Sequence, residues 1–411
     1  MSKSEPFFGP RVVAGAFVLA IFGWGLGFYG PPIYLDAVIL RTGWSVVLVS
    51  SAVTLHFLVG SVVIANLPLL YSRFGVPTIT RLGSALLAFG VVGWAVAAQP
   101  WQLFAAAALS GVGWVAMGAA AVNAIIAPWF VRTRPAALGM AYNGASIGGV
   151  IFSPLWVALI AGFGFVWASV AVGGVMLLII WALSAFVFAQ TPAGRGQTAD
   201  GDTPGAASIS VTSPFARPLP GALLWRDWRF RTLAAGMALG LFAQIGLIAH
   251  LFSLLVPALG AQTAGLVMGL ATASAIAGRS LVGWFMPVKA DRRLVACASY
   301  GVQMLGSFAL IAAAGTHVPL LIAGVLLFGA GIGNATSLPP LLAQVEFVKD
   351  DVARAVPLVV AISQATYAFA PAIFGGLRSL ASGGNGLLLF ATAAAIQMLA
   401  ILCFLAGRRR G

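Results

Sequence analysis

The sequence predicts an all-α integral membrane protein, with twelve transmembrane helices in two pseudo-symmetric six-helix bundles. Three observations predict it. Of 411 residues, 61% are apolar and 8% charged, with a mean hydropathy of +1.02. A soluble chain carries about a quarter charged residues, so nothing here could cover a water-facing surface. The apolar residues fall into runs long enough for a bilayer, which takes about 20 residues. The basic residues sit between those runs, nearly all in alternate loops.

The first run lies near 12–35, after an opening "MSKSEPFFGPR" that lacks the basic-apolar-small order of a cleaved leader. It contains "GWGLGFYGPPIY", where Pro31 and Pro32 have no N–H and must kink or end the helix. The second and third spans lie near 44–70 and 78–99, joined by "LLYSRFGVPTITRLG". The fourth lies near 101–127. "APWFVRTRPAALGMAYNGASIGG" leads into the fifth, near 134–161, and the sixth follows near 164–189.

About forty residues rich in Pro, Gly, Ser and Thr come next, too polar to pack alone and expected to be a flexible linker. They end in "LLWRDWRF", where Trp225, Trp228, Arg226 and Arg229 suit a short helix at the membrane surface, in contact with lipid headgroups. The second six spans lie near 231–257, 262–287, 291–314, 317–344, 354–379 and 384–407. The division is therefore a first bundle over 1–190, a cytoplasmic linker over 191–230 and a second bundle over 231–411. "LSGVG" at 109–113 and "LFGAG" at 327–331, and Pro154 and Pro371, echo one another at nearly the same offset, as a duplicated half would.

Charge placement orients the chain. With both termini cytoplasmic, all of the 22 basic residues except Arg41, Arg279 and Arg378 fall on the inner side, as the positive-inside rule requires. The same placement, in short clusters between spans, explains the net charge of +13 without nucleic acid. Cys297 and Cys403, apart in apolar segments, make neither a disulfide framework nor a metal site. No cofactor is expected. Arginine far outnumbers lysine, an association with GC-rich genomes; the expected setting is a bacterial cytoplasmic (inner) membrane, with the chain as a monomer.

Six plus six spans around a long central loop resemble the major facilitator superfamily of secondary transporters. The loop around Arg73 and Gly75 is similar to that family's G-x-x-x-D-R-x-G-R/K motif, with Ser72 at the acid and Pro68 at the first glycine. "GRSLVGWFMPVKADRR" keeps Gly283 and a trailing basic pair in the second half. The 127–149 segment, with Arg132 and Arg134, resembles the W/Y-F-x-R/K-R-x-x-A-x-G-x-A-x-x-G-x-x-x-G signature of the monocarboxylate-porter and oxalate/formate-antiporter branch. The resemblance implies alternating access, a gating role for Arg73, Gly75, Arg132, Arg134 and Gly283, and a substrate carboxylate on an arginine in span eight, where Arg279 falls. Span eleven lacks the lysine of oxalate-type members, which favours a substrate with one anionic group, or another organic anion altogether.

Arg279 is the lone charge between Ala261 and Lys289. An arginine in mid-membrane costs at least about 2.5–3.5 kcal/mol, so it faces a cavity or a partner. All nine acids fall in loops or at span ends. The guanidinium forks onto carboxylates, so a small organic anion could supply the negative charge. The alternatives are an arginine holding helix-end carbonyls at a gate, or one snorkelling to the surface.

Further substrate-binding candidates near mid-span are Tyr29, His56, Asn143, Gln244, His250, Asn334, Gln364 and Tyr367, with Trp24 and Tyr142 beside them. Each is also a candidate for interhelical hydrogen bonding. Gln303 and Gln397 fall in spans nine and twelve, which face outward in the family, and are set aside. A coupling proton would use His56, His250 or Asp36; a counter-anion or uniport are equal alternatives.

Other classes fare worse. The histidines belong to different spans, and no H-x-x-x-H, C-x-x-C or G-x-S-x-G appears, so the groups an enzyme needs are missing. A drug or metabolite exporter of the same family is the main alternative. A non-transporting sensor would want a longer tail than "AGRRRG".

Overall fold

Apolar runs in hydrocarbon must satisfy their own backbone groups, which makes helix their natural state. The computed structural model describes residues 6–201, 221–286, 290–335, 338–347, 349–380 and 386–408, and among these no strand occurs. In the first half α1 is Gly9–Gly27, α2 Pro31–Thr42, α3 Val46–Phe74, α4 Val76–Val96, α5 Pro100–Met117, α6 Ala119–Ile126 and α7 Arg134–Leu183. In the second half α8 is Gly221–Arg226, α9 Trp228–Leu259, α10 Ala261–Phe285, α11 Arg292–Ala312, α12 Val318–Ala335, α13 Leu338–Glu346, α14 Lys349–Tyr367, α15 Ala370–Leu380 and α16 Leu387–Ala406.

Ten helical runs among the described residues are long and apolar enough to cross a membrane. One of them, Ala136–Phe188, has 53 residues, or about 80 Å by helical rise, enough for two crossings. Gly164 divides it, at φ 75° and ψ 160°, a conformation that glycine reaches without a Cβ clash. Counting that run twice and adding the shorter apolar helix Val318–Asn334 recovers the twelve spans. Several expected spans are broken rather than continuous. Span one stops at Gly27 and restarts at Pro31, with the Phe28 and Tyr29 N–H groups both donating to the Trp24 carbonyl at 3.0 and 2.9 Å. Span four breaks at Gly118, between α5 and α6.

The chain divides into two compact units: Met1–Pro31, Val59–Phe152 and Ala158–Thr212 in the first, and Pro32–Leu58, Ser153–Val157 and Ser213–Gly411 in the second. Within the first, α4 lies along α5, and α1 crosses α5 and α7 at close range. A side chain at Gly144 or Gly148 of α7 would run into the carbonyls of Phe17 or Ile21. That is the small-xxx-small contact by which membrane helices approach, and it gives the G-x-x-x-G of the 127–149 signature its mechanical reason.

The start of the linker is not the flexible chain that its composition predicts. Residues 193–195 and 199–201 form 3₁₀ turns docked on the first unit. Gln197 accepts from the Phe8 N–H at 3.0 Å and donates to the Pro6 carbonyl at 3.1 Å. The Arg195 guanidinium stands 4.0 Å over the Phe8 ring. Asp200, left-handed at φ 59°, accepts from the N–H groups of Val131, Arg132 and Thr133 and from the Thr133 hydroxyl, at 2.6–3.2 Å. Desolvation opposes its charge, but the Thr133 hydroxyl and those N–H groups outweigh it and hold the carboxyl at about 2, below its ordinary 3.8. Residues 202–220 lie outside the described residues. The expected short helix follows as α8, with Trp225 and Trp228 exposed beside it.

In the second unit α9 is surrounded by α10, α14, α15 and α16, and α11 lies against α12 and α16. At its linker end Arg293, 1% exposed, makes a bidentate pair with Glu346 at 2.6 and 2.7 Å. Its remaining N–H groups donate to the Thr232 hydroxyl and to the Phe404 and Arg229 carbonyls, at 3.1–3.2 Å. One guanidinium thus ties α9, α11, α13 and α16, and every donor it uses finds an acceptor.

Three outcomes follow from these contacts. Replacing Asp200 with Ala should speed tryptic cleavage after Arg195 at neutral pH, with the rest of the chain still protected. In the natural chain hydrogen-exchange protection of the Arg132 and Thr133 amides should hold above pH ~4 and disappear as pH falls through ~2, because a depressed carboxylate loses its contribution on protonation. Replacing Arg293 with Ala removes a buried guanidinium and leaves the half-buried Glu346 carboxylate without it, and should cost up to about 3–5 kcal/mol, read as a lower melting temperature in detergent. An unchanged melting temperature would show that the pair carries no stability.

Candidate functional site

The site is best built from the crossing of α10 and α12 in the second unit. Side chains at Gly278, Gly329 or Gly333 would collide with the carbonyls of Ala330, Ala271 and Ala275, so the two backbones touch along this seam. The approach brings the Gly333 carbonyl to the Arg279 Nε, which donates to it at 2.8 Å. One position on, Asn334 is 3% exposed and its amide points to the Gly278 carbonyl at 3.4 Å. Arg279 is half-buried, with its guanidinium plane oriented by the Nε bond. Arg279 and Asn334, both predicted from sequence, are therefore brought together.

A second gathering forms around the Pro32–Leu58 segment, α9 and α15. The α14–α15 chain breaks at Ala368–Phe369, and Pro371 has no N–H to donate. Neighbouring side chains close the gap. Thr54 accepts from the Ala372 N–H at 3.0 Å, capping α15 from another helix. The buried His250 bonds through Nε2 to the Pro371 carbonyl at 3.0 Å. Arg378 donates to the Ser253 hydroxyl, which donates in turn to the His250 carbonyl, and Asp36 acts on Arg378 by its charge. His56 is buried edge-on to Phe57, and Tyr367 meets the same ring at 5.9 Å. Of the predicted residues, His56, His250 and Tyr367 thus belong to one neighbourhood. Gln364 is buried, with no partner for its Nε2 among the described residues.

Gln244 takes the other role open to it, interhelical hydrogen bonding: its amide donates to Gln303 at 2.8 Å, and Gln397 donates to the same oxygen at 3.0 Å. Gln303 and Gln397, set aside as outward-facing, are both 0% exposed. Spans nine and twelve do have outer faces, but these two residues sit on the inner ones.

In the first unit, polar side chains gather just past the break in span four. Asn123 and Tyr142 hydrogen-bond to each other and both donate to the Ala119 carbonyl, at 2.9 and 3.1 Å, just past Gly118. Trp24 meets Tyr142 edge-on at 6.3 Å. Tyr29 continues the turn beside Phe28, and Asn143 is exposed. Asn123, Thr54 and Glu346 are not singled out by sequence; Thr54 and Glu346 act on partners 318 and 53 residues away.

The loop-motif residues take separate places. Gly75 links α3 to α4 at φ 79°, and Arg73 packs over Phe74 at 5.2 Å. The Arg132 N–H belongs to the Asp200 cradle and Arg134 opens α7. Gly283 lies within α10.

An MFS transporter of Aspergillus flavus, asaE, is 28% identical over 289 residues, which make up 68% of this chain and 60% of that protein. The chain thus spans less than two thirds of that relative's length. MFS-type transporter 1 of an Ophiocordyceps species is 27% identical over 351 residues, covering 82% of this chain and 72% of its own. Among solved structures the D-xylose-proton symporter superposes with a TM-score of 0.76 at 14% identity, covering 97% of both chains. The nucleoside transporter NupG superposes with a TM-score of 0.74 at 13% identity, over 97% of this chain and all of that one. At such identities the structural likeness shows a shared fold. Residues 12–371 match the Major Facilitator Superfamily, and the chain belongs to that family.

Proposed function

We propose that this chain is a secondary transporter that moves a small organic anion, a monocarboxylate, across the bacterial cytoplasmic membrane by alternating access of its two six-helix halves. The observation that carries the reading is Arg279: a half-buried guanidinium within α10, oriented by the Gly333 carbonyl and flanked by Asn334. A planar fork held in one orientation suits a planar carboxylate. Asn334, Gln364 and His250 are the polar groups proposed to act with it. The basic residues favour cytoplasmic termini, although the relatives above are fungal. The coupling partner is a proton or a counter-anion.

The test is a thermal-shift screen of carboxylates on the purified protein and on Arg279→Ala, followed by uptake into liposomes. A monocarboxylate should raise the melting temperature of the natural chain, and losing its charged partner should weaken binding by about thirtyfold or more, the equivalent of about 2 kcal/mol or above. A hit that ignores the substitution assigns Arg279 to the α10–α12 seam. Stabilisation by neutral or cationic compounds alone moves the reading to an exporter.

Alternating access also requires the Pro32–Leu58 contacts to part. Cysteines at Thr54 and Ala372 should cross-link under mild oxidation and abolish uptake, with recovery on reduction. Uptake that survives complete cross-linking removes this seam from the cycle.

A further inference from the structure

Three glutamines meet in the apolar interior of the second unit, from α9, α11 and α16. Gln244, Gln303 and Gln397 are each at most 1% exposed. Gln303 Oε1 accepts from both of the others, at 2.8 and 3.0 Å. Sharing one oxygen leaves three amide atoms over, of which the Nε2 of Gln303 and the Oε1 of Gln397 are sealed from solvent. Neither has a partner among the described residues. The Ser307 hydroxyl, one turn along the same face of α11, is likewise buried and unpartnered. From α12, Gly331 faces the hub: a Cβ there would collide with the Gln303 side chain and come within 3.1 Å of its Nε2.

We propose that this amide knot is a binding site for one internal water molecule. The water accepts from Gln303 Nε2, donates to Gln397 Oε1 and makes its third bond to the Ser307 hydroxyl. Buried waters make about three hydrogen bonds to groups that otherwise lack partners, and the three groups supply that number. Which end of each amide is oxygen is assigned from the network, yet the inference does not depend on it. Reversing all three amides makes Gln303 a double donor and leaves its oxygen and the Gln397 nitrogen over, again one acceptor and one donor. Water serves both ways round. A metal ion would meet an amide N–H and no charged ligand, and an anion would meet a carbonyl. The water completes a polar tie among helices with no hydrophobic drive to associate within lipid, and so makes α9, which carries His250, one block with α11 and α16. It rests on the packing of this unit and not on the anion reading, so either can fail alone.

The experiment is a structure of the full chain at a resolution that shows ordered water. Density should lie at hydrogen-bonding distance, ~2.7–3.2 Å, from the amides of both Gln303 and Gln397. In Gln397→Leu the density should vanish and the melting temperature fall, with the Gln244–Gln303 bond kept. If that variant does not fold, Gln397→Asn shortens the amide, and the water should move toward it or be joined by a second. Resolved side chains with no density between them, or with Gln303 Nε2 on a protein carbonyl, overturn the proposal. So does a water whose position ignores Gln397→Asn.

Discussion

A backbone N–H or C=O left alone in hydrocarbon costs several kcal/mol, and most of this structure answers to that constraint. Continuous helix satisfies it without help. Where α5 ends at Gly118, where α14 gives way to α15, and where α1 stops before Pro31, it does not. Near the first two breaks a different helix bonds to the backbone: Tyr142 to the Ala119 carbonyl, His250 to the Pro371 carbonyl and, on an N–H that the break leaves without an intrahelical partner, Thr54 to Ala372. Broken helices in transporters are tolerated where protein or a cavity satisfies the freed groups. Several polar residues that look like substrate ligands in the sequence are thus joined to the backbone that makes the breaks possible.

The same economy separates two arginines of the second unit. Arg293 is nearly sealed from solvent, and its five hydrogen bonds include a bidentate carboxylate. Nothing about it invites a ligand. Arg279 sits in the wall of a glycine seam where the Gly333 carbonyl orients it. Orientation without full enclosure is what a binding group needs, because preorganised donors lose little entropy on meeting a ligand.

Much of the fold was legible because it is written locally. Apolar length marks each span, Pro31 ends a helix for lack of an N–H, and Gly75 occupies a turn that needs positive φ. The linker shows the limit of local reading. A stretch of Thr, Pro, Gly and Gln predicts flexibility, yet Gln197 and Asp200 find partners at Phe8 and Thr133, which composition does not encode. Gln303 and Gln397 show another limit. Their stripes, Ala296–Tyr300–Gln303–Ser307 on α11 and Phe390–Ala393–Gln397–Phe404 on α16, repeat at helical spacing. Judging them by span rather than by face hid a pattern that was present.

Sequence alone determined that this chain crosses a membrane about twelve times, which family it resembles and where its lone mid-span charge lies, because hydropathy, charge and proline act on neighbouring residues. Tertiary structure decided which polar groups meet. Arg279 finds Gly333, Gln244 finds Gln303, and His250 finds Pro371 across 54, 59 and 121 residues. No local pattern reaches that far, since such a contact exists only once packed helices have closed the distance.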